Sequence, residues 1–266
     1  MDGFVGRWAL VDLTSPLLLW LWGSVSAYVL AANALWVVRD TWRSSHRLWM
    51  VEAGRFFFYL AIPYLALGGW PQRPYQGLLS LEDMGLVGLG GRWPATRWLG
   101  AVGAGLGWGL IAFLLLLLAW ANANRLTHGA WLQFPSRKWW LILVDVFYLE
   151  VHWAFYRSAL AVTLDDVYAG IFWGLGLIYL QCSLNPFWRQ GWHLQSQATT
   201  RWLRAALAFI IAVLFFLTRN LWICLLVHWL LEVFLRQLGR ERALKAGAYP
   251  LERPQELESP FSSNVG

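Results

Sequence analysis

Seven long apolar runs constrain the fold of this chain more than any other feature of its sequence. They lie at about residues 16–38, 48–70, 98–121, 139–160, 167–186, 202–218 and 220–236. A helix needs roughly 20 residues to cross a hydrocarbon core. Because lipid offers backbone groups no hydrogen-bond partner, only helices and closed barrels can span it, and these runs lack the alternation of barrel strands. The sequence therefore predicts an all-α polytopic integral membrane protein with about seven transmembrane helices.

The composition excludes an ordinary soluble domain. Of the 266 residues, 58% are hydrophobic, only 14% are charged and 21 are Trp. Trp rings settle at headgroup level, at both ends of spanning helices. The formal charge of +6 would suit a nucleic-acid partner, but the basic residues lie between apolar runs and are not interleaved with aromatic residues in an exposed segment. We expect the lipid bilayer as a partner, other membrane proteins against the Trp-rich faces, and no nucleic acid.

The distribution of Lys and Arg predicts the orientation. Fourteen of the 21 fall on one side of the seven spans, and five fall on the other: Arg7, Arg73, Arg92, Arg97 and Arg219. Because basic residues concentrate on the cytoplasmic side, we expect a multi-pass cell-membrane protein with its N-terminus outside and its C-terminus in the cytoplasm. The helical bundle is predicted over residues 1–239. Residues 240–266, rich in Pro and Ser near the end, are predicted to form a cytoplasmic, partly disordered tail.

Ionisable side chains inside the apolar runs are the natural candidates for chemistry, because charges at membrane depth are costly. The fourth and seventh runs contain Asp145, Glu150, His152, Arg157, His228 and Glu232. Residues seven or four apart share a helix face, which aligns Glu150 with Arg157 and His228 with Glu232. If these two helices pack together, histidines and carboxylates converge in one polar cavity.

Such a cluster fits several kinds of chemistry. A Glu that activates water, with His and Arg stabilising an oxyanion, would make an intramembrane hydrolase. His152 and His228 with carboxylates would suit Zn²⁺ or iron, and a buried neutral His would suit a haem or chlorophyll metal. Alternatively, the charged groups form internal pairs that hold helices together. The sequence leaves the choice between a zinc site, another metal and no cofactor open.

Two segments carry a family pattern. Residues 150–158, Glu-Val-His-Trp-Ala-Phe-Tyr-Arg-Ser, are similar to a Glu-Glu-x-x-x-Arg motif, with Arg157 at the position of its Arg. Residues 214–232 form a polar turn and an apolar helix with His228 at the His of a His-x-x-x-Asn pattern, and residues 82–86, Glu-Asp-Met-Gly-Leu, are similar to a preceding stretch. Together, over about residues 79–236, they resemble the CPBP family (CAAX protease and bacteriocin-processing) of intramembrane proteases.

The resemblance implies a CPBP-like helical bundle in a bacterial inner membrane, acting as an endopeptidase on membrane-associated peptides. It implies that Glu150 activates water, that Arg157 orients Glu150, and that His152 and His228 polarise the scissile carbonyl. Glu232 takes the position of the Asn in the last motif.

Two of the three family motifs are degraded in this sequence. His152 and Trp153 occupy the positions of the Glu pair, and Gly176 replaces the His of a Phe-x-x-x-His motif that begins at Phe172. These departures favour weak or lost activity. The alternative function is therefore a catalytically inactive CPBP-like subunit or assembly factor of a larger membrane complex, of the photosynthetic or respiratory kind.

Three smaller features also carry predictions. Glycines in the third and fifth runs are predicted to allow close helix packing: Gly100, Gly103, Gly105, Gly107, Gly109, Gly170, Gly174 and Gly176. Glu52 and Arg55, three residues apart, are predicted to pair. Residues 79–86 are predicted to lie along the membrane interface as an amphipathic turn.

Overall fold

The computed structural model describes residues 15–39, 46–69, 78–86, 93–126, 137–191 and 195–245. Nearly all of these residues are helical, and none of them forms a strand. The predicted all-α, polytopic membrane fold is confirmed. Residues 246–266, where most of the tail was predicted, lie outside the described residues.

Each of the seven apolar runs corresponds to a helical segment. The helices are α1 (Pro16–Val38), α2 (His46–Phe56), α3 (Ile62–Leu67), α4 (Ala95–Leu126), α5 (Trp139–Leu164), α6 (Val167–Leu184), α7 (Pro186–Gly191), α8 (Gln195–Thr218) and α9 (Leu221–Lys245). A π-helical turn, Phe57–Ala61, joins α2 to α3 without a break. Six described helices are long and apolar enough to cross a membrane. The remaining long helix, α5, has 26 residues but carries buried charges.

Helix α5 lies at the centre of the bundle. It packs against α6 along its length, and against α9, α1 and the π-helical turn. Phe155, Tyr156 and Ala159 on this helix are completely buried. Protein rather than lipid therefore surrounds the polar groups of α5, which is how a charged helix is tolerated at membrane depth.

Helices α5 and α6 form a tight hairpin. Asp165 ends α5 with a left-handed backbone (φ 49°), and the side chain of Asp166 accepts the N–H groups that begin α6. A Cβ at Gly170 would lie 2.4 Å from the Ala161 nitrogen, and one at Gly174 would lie 3.0 Å from the Arg157 backbone. The packing role predicted for these two glycines is confirmed. Gly176 meets only Trp173 of its own helix.

Helices α8 and α9 form a second tight hairpin, as the polar turn at residues 218–220 predicts. Arg219 adopts a left-handed backbone (φ 50°), and the side chain of Asn220 accepts the Trp222 N–H at 3.0 Å. On α4, Gly105 and Gly109 face Ile223 and Val227 of α9. Gly100, Gly103 and Gly107 have no neighbour within 4 Å of an added Cβ, so only part of this predicted packing face contacts protein in the described structure.

The turn at residues 78–86 docks against one end of the bundle. Met84 is fully buried, the Gly85 carbonyl accepts the Leu221 N–H at 2.8 Å, and the Ser158 hydroxyl donates to the Asp83 carbonyl at 2.8 Å. Gly85 has φ +74°, and a Cβ there would lie 2.6 Å from the Phe215 ring. Leu79 and Met84 thus bury the apolar side of the turn against protein, while Leu81 remains exposed.

Candidate functional site

A carboxylate on α5 meets an imidazole on α9 in the interior of the bundle. Glu150 Oε1 lies 2.7 Å from His228 Nδ1, and both side chains have zero solvent exposure. The contact follows from the packing of α5 on α9. The convergence expected for the fourth and seventh runs is therefore present for this pair.

Arg157 supports the second oxygen of the same carboxylate. Its guanidinium lies 3.4 Å from Glu150 Oε2 and 4.5 Å from the centre of the Phe215 ring. Two helical turns separate Glu150 from Arg157, so the pair is intrahelical, as the spacing of seven predicts. The carboxylate is thus held from both sides, by an imidazole and by a guanidinium.

The far side of the imidazole faces a second carboxylate. His228 Nε2 lies 3.8 Å from Glu232 Oε2, beyond hydrogen-bond distance, and has no hydrogen-bond partner in the described part of the chain. Glu232 Oε1 accepts from Arg236 at 2.6 and 3.0 Å. The Trp153 ring stacks on the imidazole, with centroids 5.5 Å apart and planes 13° apart. This stacking fixes the plane of the ring.

His228 lies between two carboxylates, and each of them also contacts a guanidinium: Glu150 contacts Arg157, and Glu232 contacts Arg236. An ionised carboxylate only accepts hydrogen bonds, so the Nδ1–H of His228 donates to Glu150. An imidazole held at Nδ1, with no hydrogen-bond partner for Nε2 among the described residues, has the arrangement of a general base.

His152 does not join this group. Residues two apart on a helix diverge by about 200°, and His152 lies among aromatic rings: Phe58 at 4.3 Å, Tyr156 at 4.4 Å and Tyr59 at 5.3 Å between centroids. Its side chain is 1% exposed. The structure therefore brings together Glu150, Arg157, His228 and Glu232 from the predicted set, and places His152 in different surroundings.

Asp145 belongs to a separate ion-pair group near the start of α5. It accepts from Arg55 at 2.6 Å and from Arg137. Arg55 also contacts Glu52 at 2.8 Å, which confirms that predicted pair. Burial lowers the pKa of Arg137 to about 10, and the guanidinium groups of Arg204, Arg236 and Arg55 act in the same direction. Several cationic groups are therefore crowded at this end of the bundle.

Sequence reasoning missed Arg236. The residue lies at the predicted end of the last span, but α9 continues to Lys245 and buries the side chain. Its spacing of four from Glu232 was the available signal, since charges four apart on a helix meet.

The described residues contain no group of three or more His, Cys, Asp or Glu residues placed to hold a metal ion. His152 and His228, the two histidines proposed above as ligands, have different neighbours. The structure therefore does not place them as joint ligands of one ion.

The chain matches no family model, no curated protein and no solved structure. The resemblance to the CPBP family therefore rests on residue patterns alone.

Proposed function

We propose that this protein is a CPBP-like intramembrane hydrolase that cleaves a peptide bond of a membrane-associated substrate. His228 acts as the general base and Glu150 as the residue that orients it. The observation that carries the proposal is the 2.7 Å contact between Glu150 Oε1 and His228 Nδ1, with Nε2 left without a hydrogen-bond partner among the described residues.

The proposed reaction is the hydrolysis of an amide by water. His228 Nε2 takes a proton from water, and the hydroxide forms a bond to the carbonyl carbon. The imidazolium then returns the proton to the leaving nitrogen as the C–N bond breaks. The carboxylate of Glu150 stabilises the imidazolium during the reaction. Arg157 holds that carboxylate in place, and Glu232 lies 3.8 Å from Nε2.

The expected orientation puts the N-terminus outside and the C-terminus in the cytoplasm of an inner membrane. The support is the asymmetry of Lys and Arg along the chain. In this orientation the Asp145 group and Arg236 lie towards the cytoplasmic side, and residues 78–86 lie towards the opposite side.

The second candidate is a catalytically inactive subunit or assembly factor of a larger membrane complex. The observation that favours it is burial: Glu150, Arg157 and His228 are enclosed, and none of them lines either of the two cavities described for this structure. The bundle also exposes several large indole rings that suit contacts with membrane partners: Trp22, Trp49, Trp139, Trp140, Trp173 and Trp202.

Quantitative N-terminal proteomics would separate the two candidates. Membranes of a host expressing the wild-type chain are compared with membranes containing Glu150→Gln or His228→Ala. The hydrolase predicts new peptide N-termini that decrease at least about 100-fold in both variants, because His228→Ala removes the general base and Glu150→Gln removes the carboxylate that orients it. Cleavage products that persist in both variants exclude the proposed mechanism.

Asp145→Asn is the matched control. Asp145 is a buried, ion-paired carboxylate on the same helix, but it does not contact His228. A specific catalytic role predicts that this variant retains cleavage. If wild-type membranes yield no new N-termini and the tagged chain instead isolates a stable membrane complex that Glu150→Gln leaves intact, the subunit hypothesis is favoured.

A further inference from the structure

A cavity of about 200 Å³ lies between helices α4, α8 and α9. Side chains from all three helices line it, and nearly all of them are apolar. They include Leu116, Ala119, Trp120, Ala123, Leu203 and Leu235. No charged side chain among the described residues lines this cavity. A molecule that fills it therefore has to be apolar over the part that enters.

The cavity follows from a change in the packing along α4. In the first half of this helix, a Cβ at Gly109 would lie 3.2 Å from the Val227 side chain, and the Trp108 indole donates to the Ile210 carbonyl at 3.1 Å. Helix α4 thus contacts both α9 and α8 there. In the second half, the two alanines that line the cavity have side chains too small to fill the space between the three helices.

The cavity lies close to one surface of the membrane. The apolar spans of the three helices are Ala95–Ala123, Ala198–Thr218 and Leu221–Glu241. The lining residues fall at the end of the first span, at the start of the second and towards the end of the third. Trp120 and Trp202 are among them, and Trp rings settle at headgroup level. The cavity therefore lies just beneath the headgroups of one leaflet, where the first carbons of the acyl chains are.

The cavity opens on the outer surface of the bundle. Trp202 is 49% exposed and Ala119 is also exposed, so these two residues form the rim. Leu203 and Leu235 are buried and form the floor. Because the three helices are long and apolar enough to cross the hydrocarbon core, lipid chains are the surroundings of this rim.

The volume of the cavity fits one hydrocarbon chain. An apolar cavity of about 150 Å³ binds benzene, so 200 Å³ accommodates a segment of several methylene groups. A helix of a partner protein, about 10–12 Å in diameter with its side chains, is too wide to enter. A chain inside the cavity restores the van der Waals contacts that the walls of an empty cavity would lack.

We propose that this cavity binds an acyl chain of a membrane lipid, whose headgroup lies at the level of Trp120 and Trp202. The protein recognises the chain and not the headgroup, because the described lining residues carry no charge to pair with a phosphate. Glu150 and His228 do not line the cavity, and the proposal does not depend on the proposed hydrolase activity.

Filling the cavity tests the proposal. Native mass spectrometry of the full chain in neutral detergent measures the binding of dioleoylphosphatidylcholine. Ala123→Leu adds three carbons to a lining side chain, and should weaken the tightest binding of this lipid about tenfold. Ala104→Leu is the matched control, because it adds the same carbons at an exposed position of α4 that does not line the cavity, and should bind as wild type. Thermal melting verifies that each variant is folded, and Ala119→Leu at the rim replaces Ala123→Leu if the latter does not fold.

Three results would overturn the proposal. The first is wild-type lipid binding by a folded variant with the filled cavity, or an equal loss in Ala104→Leu. The second is a headgroup preference: the binding that Ala123→Leu removes should be the same, within about twofold, for dioleoylphosphatidylglycerol and dioleoylphosphatidylcholine, because a stronger preference requires a charged partner. The third is a wild-type dimer that Ala123→Leu converts to a monomer, which would show that a second copy of the chain covers the cavity.

Discussion

Two buried histidines in this bundle have opposite surroundings. His228 on α9 meets the carboxylate of Glu150 at 2.7 Å, whereas His152 on α5 is surrounded by aromatic rings and has no hydrogen-bond partner among the described residues. Both side chains are at most 1% exposed. Burial alone therefore does not distinguish them; the difference lies in what each ring nitrogen can bind.

The two histidines should also differ in their contribution to the free energy of unfolding. A buried imidazole with a carboxylate partner holds two helices in register, and its removal leaves a charge behind. A buried imidazole without a partner costs free energy in the ligand-free protein, because its nitrogens lose water and gain nothing. The first kind of histidine supports structure or catalysis, whereas the second kind lowers stability unless something else satisfies its nitrogens.

The largest expected effect comes from removing the carboxylate that serves His228. Glu150→Leu leaves Arg157 buried without its anionic partner, and should lower the free energy of unfolding by about 3–5 kcal/mol. Equilibrium unfolding in mixed detergent micelles measures the change. Exposed ion pairs contribute less than about 1 kcal/mol. A loss in that range would mean that the contacts of Glu150 with His228 and Arg157 contribute little to stability.

Direct replacement of each histidine by Phe compares the two sites. His228→Phe should lower the free energy of unfolding by about 2–3 kcal/mol, because Glu150 loses a buried hydrogen bond. His152→Phe should leave it unchanged or raise it by up to about 1 kcal/mol, since two unsatisfied nitrogens are removed. The same unfolding titration serves for both. Equal losses in the two variants would mean that the two histidines contribute equally to stability, contrary to this expectation.

Part of this arrangement follows from the sequence, and part does not. The length of the apolar runs and the cost of charge at membrane depth predict the helices. The contact between α5 and α9 does not follow from the sequence, which predicts only that Glu150 and His228 converge if these two helices pack together. The sequence also indicates that His152 faces away from Glu150, because residues two apart on a helix differ in direction by about 200°. The prediction grouped His152 with His228 because both are histidines, and did not use this angle.

Other features depend on the tertiary structure. The π-helical turn that sets Phe58 and Tyr59 against His152 has no signature in the local pattern of residues 57–61. The burial of Met84 depends on helix ends that lie far along the chain. Arg236 is buried because α9 extends past the predicted end of its span. All three features depend on tertiary packing, which the spacing of apolar residues along the chain does not predict.

A smaller effect is expected where Gly174 of α6 packs against Arg157, the residue that pairs with Glu150. A Cβ at Gly174 would lie 3.0 Å from the Arg157 backbone, so Gly174→Ala should cost about 1–3 kcal/mol. A Cβ at Gly176 on the same helix would lie 4.0 Å from the Trp173 ring, an ordinary van der Waals contact, so Gly176→Ala should remain within about 0.5 kcal/mol of wild type. Thermal melting in detergent measures both. Equal melting temperatures for the two variants would show that the contact at Gly174 is not tight.

The smallest effect is expected at the Asp145 group. Arg137→Gln removes one of two guanidinium partners of Asp145, but Arg55 remains at 2.6 Å, so the loss in unfolding free energy should stay below about 1 kcal/mol. Removal of one cation also relieves its repulsion with Arg204 and Arg236. Unfolding titrations of Arg137→Gln and Glu150→Leu, performed side by side, give the contrast. A larger loss for Arg137→Gln would reverse the order of importance of the two ion-pair groups.

The docked turn at residues 78–86 has a consequence for biosynthesis. Met84 is buried in the same core as Leu214 and Leu221, and the Gly85 carbonyl bonds to the Leu221 N–H. The chain emerges from the ribosome N-terminus first, so Ser158 is made 75 residues after Asp83, while Leu214 and Leu221 are made well over a hundred residues after the turn. The core around Met84 is therefore completed only when the final hairpin has been made, late in assembly.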